Sequence, residues 1–286
     1  MKRSVFRSVV TLWILLCLHP FSVYAAKLVW YKSDTPPGYI LSGPYQNKGY
    51  MDLKFNLFRE EMKVYSHVVR VGNIKRIIVD IAKKNAVGES LLKKPEREKT
   101  IEFSVPHSVA FPHVIIIPKD RSEKLQPYLT ADGTVMLEKL ITESDLKLLI
   151  AIGRSYTGII DEMLKKYPDH KNIITRGSST KLLEGILKMI LVSRGDYTIA
   201  YPQETYYHAK LMDKGGDFVS FPIEGMPKYV LVYAGVPKNE WGTKILNELN
   251  PVILKHRNTQ KIREYEEAWM DENMKVLFRK YMDEAF

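Results

Sequence analysis

Short β-rich runs alternate with amphipathic helical patterns along most of this chain, and the alternation limits the folds that it can adopt. Apolar runs at 28–31 and 64–71 are typical of strands, and the segment near 52–61 between them has helical spacing. The same order returns further on, where strand patterns at 148–152 and 173–175 flank a second helical pattern. Strands that alternate with helices of this length predict an α/β protein whose sheets contain parallel strands.

Two apolar strand patterns, at 109–117 and 229–236, mark the places where one α/β block gives way to another. One body interrupted by a second body explains this order most simply. We therefore predict two lobes, the first formed by 27–116 plus 224–286 and the second by 117–223. A two-lobed architecture leaves a cleft between the lobes, and ligand sites commonly lie in such clefts.

The N-terminal segment has the three-part layout of a secretory signal peptide. A basic start is followed by an apolar run over 9–18 and by a small-residue cleavage site that ends at Ala25. The apolar run is short for a membrane span, so we predict export to the periplasm with removal of residues 1–25. An uncleaved anchor is the alternative. Leu16 is bulky where a lipid-attachment site before Cys17 requires a small residue, which argues against a lipoprotein.

Composition excludes several classes of protein. The chain of 286 residues is 45% hydrophobic, which is too apolar for an intrinsically disordered protein. Its 43 Lys and Arg against 33 Asp and Glu give a net charge of +10. The two signs are interspersed, and no zinc-finger or RNA-binding motif accompanies them, so we expect no nucleic-acid partner. The single cysteine lies in the predicted leader, and a mature chain without cysteine suits an oxidising compartment.

Three segments together point to a known family. They are EREKTIEFSVPH at 96–107, GYMDL at 49–53 and SRGD at 193–196. In their order and spacing they resemble the amino-acid-type family of bacterial extracellular solute-binding proteins. The resemblance implies a type II periplasmic-binding fold, in which each lobe is a mixed sheet flanked by helices and the ligand cleft lies between the lobes.

The same resemblance implies the first candidate ligand residues. Arg97 matches the family arginine that binds the ligand's carboxylate, and Ser90 lies where family members offer hydroxyl and backbone donors. A guanidinium suits this role because its planar fork of N–H donors fits a carboxylate bidentately and stays charged. The alternative for Arg97 is a surface ion pair with Glu96 or Glu98.

A loop at 153–157, between a predicted strand and a predicted helix, supplies the second group of candidates. It resembles the family's loop at the start of a second-lobe helix and contains Arg154, Ser155 and Thr157. Free backbone amides and the dipole at a helix N-terminus favour an anion. Capping of the helix is the alternative reading of the hydroxyl side chains.

The sequence also departs from the family pattern. Amino-acid binders carry an acid that pairs with the ligand's ammonium group, and Tyr201 stands at that position; the nearest acid is Glu204. The threonine usual before the ligand arginine is displaced by 93–95. Both departures argue against an ordinary α-amino acid as ligand. Trp30 and Tyr39 are further candidates because aromatic rings can stack on a ligand, although packing is the commoner role for such rings.

The expected function is capture of a small anionic or zwitterionic solute for a membrane permease, by a monomer that is not an enzyme. A sensor module that docks on a membrane receptor is one alternative. The other is a dehydratase of the same fold, with Glu89 or Glu204 as a general acid. His107 and His113 lack acids or cysteines at ligand spacing, so we expect no metal and no cofactor.

Removal of the predicted signal peptide can be tested by the mass of the exported protein. When the full-length protein is expressed in a bacterium that secretes it, the intact mass of the periplasmic product should correspond to a chain that starts at Ala26. Recovery of a chain that starts at Met1 from the membrane fraction would contradict cleavage.

Overall fold

The computed structural model describes residues 25–151, 155–156, 158–177 and 182–286. The predicted signal peptide lies outside these residues, except for Ala25, as do the candidates Arg154 and Thr157. Within the described residues, the helices are all too short or too polar to cross a bilayer.

The chain builds two separate mixed sheets. The strands are β1 Ala26–Lys32, β2 Tyr65–Val71, β3 Ala86–Leu92, β4 Ile101–Phe103, β5 Ser108–Ala110, β6 Val114–Pro118, β7 Leu148–Ala151, β8 Ile173–Arg176, β9 Tyr197–Ala200, β10 Phe218–Phe221 and β11 Val230–Pro237. The first sheet has the order β2-β1-β3-β11-β4, with β5 also paired to β11, and the second has the order β10-β6-β9-β7-β8. Strands β1, β2 and β3 are parallel, as are β7, β8 and β9.

Helices cover both sheets. They are α1 Tyr50–Glu61, α2 Ile74–Lys83, α3 Pro95–Glu98, α4 Leu137–Glu143, α5 Gly158–Lys166, α6 Leu182–Leu191, α7 Pro202–Lys210, α8 Glu240–His256, α9 Gln260–Glu267 and α10 Glu272–Ala285, with a 3₁₀ helix over Lys119–Tyr128. Helices α1 and α8 pack on one face of the first sheet and α2 on the other. Helices α4 and α5 cover one face of the second sheet, and α6 and α7 the other. The predicted α/β class and mixed sheets are confirmed.

The chain passes between the sheets twice, at 111–113 and at 222–229. The sequence predicts one apolar strand over 109–117, but the structure divides it. Strand β5 pairs with β11 in the first sheet, whereas β6 pairs with β9 and β10 in the second. The division falls at Pro112, which has no N–H to give to a ladder. Residues 114–116, which the predicted division assigns to the first lobe, therefore belong to the second sheet.

The C-terminal helix α10 spans both crossings. Its apolar side, including Met274 and Phe278, packs with Val109 and Phe111 at the first crossing. Asp271 caps the helix by accepting a hydrogen bond from the Met274 N–H at 3.1 Å, and it also accepts one from the Ser220 hydroxyl on β10 at 2.7 Å. One helix thus contacts strands of both sheets beside the point where the chain crosses.

A buried ion pair ties α1 to α9. The Lys54 ammonium donates to the Glu266 carboxylate, and both side chains are excluded from solvent. The Ser108 hydroxyl donates to the same carboxylate at 2.5 Å, so β5 joins the contact. Burial lowers the pKa of Lys54, while the charge of Glu266 opposes that shift. The pair holds three separate chain segments together just before the first crossing.

We expect Lys54→Ala to cost about 3–5 kcal/mol of unfolding free energy, because it leaves the Glu266 charge buried without its partner. Urea denaturation measures this loss. Lys275→Ala, which removes an exposed 2.6 Å pair with Glu272, is the control and should cost at most about 1 kcal/mol. Combining Lys54→Met with Glu266→Gln should recover most of the loss, and failure to do so would show that charge burial is not the cause.

Candidate functional site

The carboxyl ends of the parallel strands in the two sheets point toward the same region. In the first sheet, β3 ends at Leu92 opposite Val232, and the chain leaves this edge from Ala110. In the second sheet, β9 ends at Ala200. Its partner is Val114, the first residue of β6 after the chain has crossed from the first sheet. Since only residues 111–113 separate β5 from β6, the two edges face each other across a short connection. Ligands of open α/β sheets bind at such carboxyl edges.

A β-bulge shapes the edge of the first sheet. Gly88 lies opposite Gly235 and Leu91 opposite Tyr233, so β3 has one more residue than β11 between these pairs. The extra residue re-aims the side chains at the end of β3, as bulges do near binding sites. Ser90 there shares a 3.0 Å hydrogen bond with the Tyr39 hydroxyl. The structure therefore brings together two residues that the sequence analysis proposed separately.

Glu89, next to Ser90, has no exposed surface and takes part in an ion pair. Its carboxylate accepts a hydrogen bond from the Arg59 guanidinium, which lies 5.6 Å from the centre of the Trp30 ring. Burial raises the pKa of Glu89, and the Arg59 charge opposes the rise. Trp30 has no exposed surface and donates from Nε1 to His67 Nδ1 at 2.9 Å. The structure thus places Trp30 in the core, where its role is packing.

A second ion pair lies at the carboxyl end of β1 in the first sheet. The Lys32 ammonium at the end of β1 lies 2.6 Å from the Asp52 carboxylate, which also accepts the Ile40 N–H at 3.0 Å. The same ammonium lies 5.6 Å from the centre of the Tyr39 ring. Lys32 is not among the residues that the sequence singles out. One sequence signal could have indicated this pair. A basic residue ends a strand, and an acid follows twenty residues later in the first turn of a helix.

Arg97 lies in the short helix α3, which follows β3 directly. Its side chain is half-buried, and Nη1 donates to the Leu92 carbonyl at 2.7 Å. The alternative reading paired Arg97 with Glu96 or Glu98, but the ion pair of Glu98 is with Lys93 at 3.0 Å. The bond to Leu92 fixes the guanidinium beside the carboxyl end of β3.

Aromatic rings form the edge of the second sheet. Tyr201, the residue before α7, is 41% exposed, and its ring stacks on His113 at 4.0 Å with an interplanar angle of 25°. His113 in turn contacts the edge of Tyr156 at 5.4 Å. The Tyr156 hydroxyl accepts the Ala151 N–H at 3.0 Å, which fixes the stack to the end of β7. The sequence spacing of His113 bears only on metal binding and does not predict this stack.

Ser155 has a local role in the structure. Its hydroxyl donates to the Asp161 carboxylate at 2.6 Å, and the Tyr156 N–H donates to the same side chain at 2.7 Å. This arrangement organises the start of α5, as the helix-capping alternative expects. No group of three or more potential metal ligands occurs among the residues that the structure describes.

His107 lies in the core of the first body, one residue before β5. The ring is completely buried and contacts Phe55 edge-on at 5.1 Å. Burial lowers the pKa of His107 well below its usual value, and the nearby Lys54 charge lowers it further. The imidazole is therefore neutral in the folded protein at physiological pH.

Solved structures resemble this chain, although no protein-family model and no curated protein matches its sequence. The probable amino-acid ABC transporter extracellular-binding protein YtmK of Bacillus subtilis is 14% identical, with a TM-score of 0.61 over 87% of this chain and 98% of its own. An ancestral cationic amino acid solute-binding protein is 17% identical, with a TM-score of 0.60 over 86% of this chain and 96% of its own.

A histidine kinase sensor domain with similarity to periplasmic binding proteins also matches, with 16% identity and a TM-score of 0.52 over 86% of this chain and 96% of its own. The chain has the type II periplasmic-binding fold. Identities of this size show the shared fold. The ligand and the partner have to be argued from the residues of the site itself.

Besides Ser155, the predicted ligand residues that the structure describes fall into three groups. Arg97 and Tyr201 lie at the two facing edges. Ser90 and Tyr39 lie together beneath the first edge, and Tyr39 is only 2% exposed. Trp30 lies in the core.

Burial keeps His107 neutral in the folded protein, whereas in the unfolded chain the imidazole binds a proton below about pH 6.5, so acidification favours unfolding. The ordinary histidine pKa of about 6.5 applies to the unfolded chain. The unfolding free energy that His107 costs the protein between pH 7.5 and 5.5 is then about 1.4 kcal/mol. We expect the unfolding free energy of His107→Leu, measured by urea denaturation, to fall by about 1.4 kcal/mol less than that of the parent chain over this pH range. An unchanged pH dependence would show that His107 does not titrate on unfolding.

Proposed function

We propose that this protein is a periplasmic solute-binding protein that captures one small carboxylate-bearing solute between its lobes and delivers it to a membrane transporter. The observation that supports the proposal most directly is the meeting of two carboxyl edges: one has a fixed guanidinium, and the other has Tyr201 at the exposed end of an aromatic stack. We also propose the two lobes of the sequence prediction, with the first boundary moved to 111–113. We further propose that the protein acts as a monomer and has no enzymatic activity.

Arg97 is the proposed anchor for the carboxylate. The Leu92 carbonyl takes one of the five N–H donors of the guanidinium and fixes its position at the end of β3. The short helix α3 is too small to bury the side chain, so the guanidinium stays half-exposed and accessible. A pre-positioned guanidinium loses little side-chain entropy when it binds a carboxylate bidentately.

The facing edge supports a ligand other than an ordinary α-amino acid. Tyr201 presents an aromatic ring rather than a carboxylate at the exposed end of the stack with His113. A ring provides a flat apolar surface but no full negative charge for an ammonium group. We therefore propose an organic acid without an α-ammonium group as the ligand class.

The test begins with the compound that remains bound to protein purified from the periplasm, identified by mass spectrometry and then titrated by calorimetry. Removing one partner of a buried charge pair costs about 2–5 kcal/mol, so Arg97→Ala should weaken binding about thirty-fold or more. Arg97→Lys should also bind weakly, because an ammonium cannot replace the fork.

Lys93→Ala is the matched control, since it removes a neighbouring exposed cation whose partner is Glu98. Tyr201→Asp should create affinity for amino acids, because it puts an acid at the position where amino-acid binders carry one. If Arg97→Ala binds the native compound as tightly as the parent protein does, Arg97 is not the anchor.

A sensor module is the second candidate function, and the likeness to a histidine kinase sensor domain favours it. Both functions use the same cleft, so the neighbouring genes separate them: a permease and an ATPase support transport, and a membrane sensor kinase supports signalling. The dehydratase alternative has less support. Glu89, its buried candidate acid, is held by Arg59 and has no exposed surface.

A further inference from the structure

A cluster of three aromatic rings joins the two bodies. Tyr45 lies in the loop between β1 and α1, Tyr207 lies on α7, and Trp269 lies between α9 and α10. The ring centres of Tyr45 and Trp269 are 5.3 Å apart at 87°, and those of Tyr207 and Trp269 are 5.7 Å apart. Tyr45 and Tyr207 complete the triangle at 6.5 Å. We call these three residues the aromatic clasp.

A lysine from α7 strengthens the clasp. The Lys210 ammonium lies 5.2 Å from the centre of the Tyr45 ring and 5.1 Å from the centre of the Trp269 ring. A cation within about 6 Å of an aromatic face is attracted by the ring quadrupole. Because Lys210 comes from the second body and both rings come from the first, this attraction acts between the bodies.

The clasp is well packed. Ile40 belongs to the same cluster, and Ile40, Tyr207 and Trp269 are 1%, 7% and 4% exposed. Such low exposure at the junction of two bodies means that their separation would bring large apolar side chains into water.

The two sides of the clasp belong to different bodies. Helix α7 follows β9 and packs with the second sheet, where Ala209 is part of the core. The loop that carries Tyr45 is held on the first body by the bond of the Ile40 N–H to Asp52, on α1. Helix α9 is held on α1 by Lys54 and Glu266. Any opening of the cleft that moves α7 away from this loop must pull Tyr207 and Lys210 off their partners.

We propose that the aromatic clasp holds the cleft closed when no solute is bound. This inference rests on the proposed function for its biological meaning, because a closed empty state changes how a solute enters. The solute then binds after a transient opening, so the clasp slows association. It also stabilises the closed state, which is the state that holds the bound solute. If loss of the clasp reduces the closed fraction to about one tenth, the apparent affinity falls about tenfold.

The test measures the distance between the two bodies in the free protein. A chain that starts at Ala26 has no cysteine, so Glu96→Cys on α3 and Glu162→Cys on α5 provide the only two thiols for spin labels. Bound compound is removed first by unfolding, dialysis and refolding. Pulsed electron paramagnetic resonance should give one narrow distance for the parent chain. Tyr45→Ala and Lys210→Met should each add a second, longer distance.

Tyr167→Ala is the matched control. Tyr167 is also a half-buried tyrosine under a lysine, with the Lys166 ammonium 5.3 Å from its ring centre, but both residues lie in the second body. This variant should keep the single narrow distance. A parent chain that already shows the long distance without solute would overturn the proposal, as would clasp variants that keep the parent's distance.

The outcomes separate the clasp from the proposed function. If the labels stay close in the free protein and part in the clasp variants, the clasp is supported even where no solute can be found. If a solute binds between the lobes but the free parent chain is open, the proposed function stands and the clasp is wrong.

Discussion

The rest of the structure depends on the two chain crossings that join the sheets. The first crossing is only three residues long, so the carboxyl edges of β3 and β9 cannot lie far apart. Pro112 ends the ladder of the first sheet inside what is otherwise one apolar run, and β6 then pairs in the second sheet. Helix α10 fixes this arrangement, since Asp271 binds Ser220 while Met274 and Phe278 pack on the first crossing. The facing edges are the consequence.

The charged residues of the first body differ in burial, and the buried ones have a different role from the one proposed for Arg97. Glu89 is neutralised by Arg59, and Lys54 by Glu266, so these charges hold α1 and α9 in place. Such pairs stabilise little compared with apolar packing, but removing one partner is costly. Arg97 differs because it is anchored by a backbone carbonyl and stays half-exposed. A charge that is fixed but accessible is suited to binding a charged ligand, which is why the proposed function rests on it.

The sequence predicted the α/β class because strand and helix periods are local properties of the chain, but it merged β5 and β6 into one strand over 109–117. It could not show that Trp30 lies in the core, since an aromatic residue near a loop fits packing and stacking equally well. Nor could it show the β-bulge beside Ser90, which depends on the register between β3 and β11. The stack of Tyr201 on His113 was beyond the sequence for the same reason, because 88 positions separate two residues that only the pairing of β6 with β9 brings together.

Hydrogen–deuterium exchange with and without the co-purified compound tests the central claim, that a small solute binds between the two carboxyl edges. We expect slower exchange on binding in peptides from both edges, those that contain Ser90 and Arg97 and those that contain His113 and Tyr201. Peptides from α10 should show unchanged exchange. Protection confined to one sheet, or found only around α10, would contradict binding between the lobes.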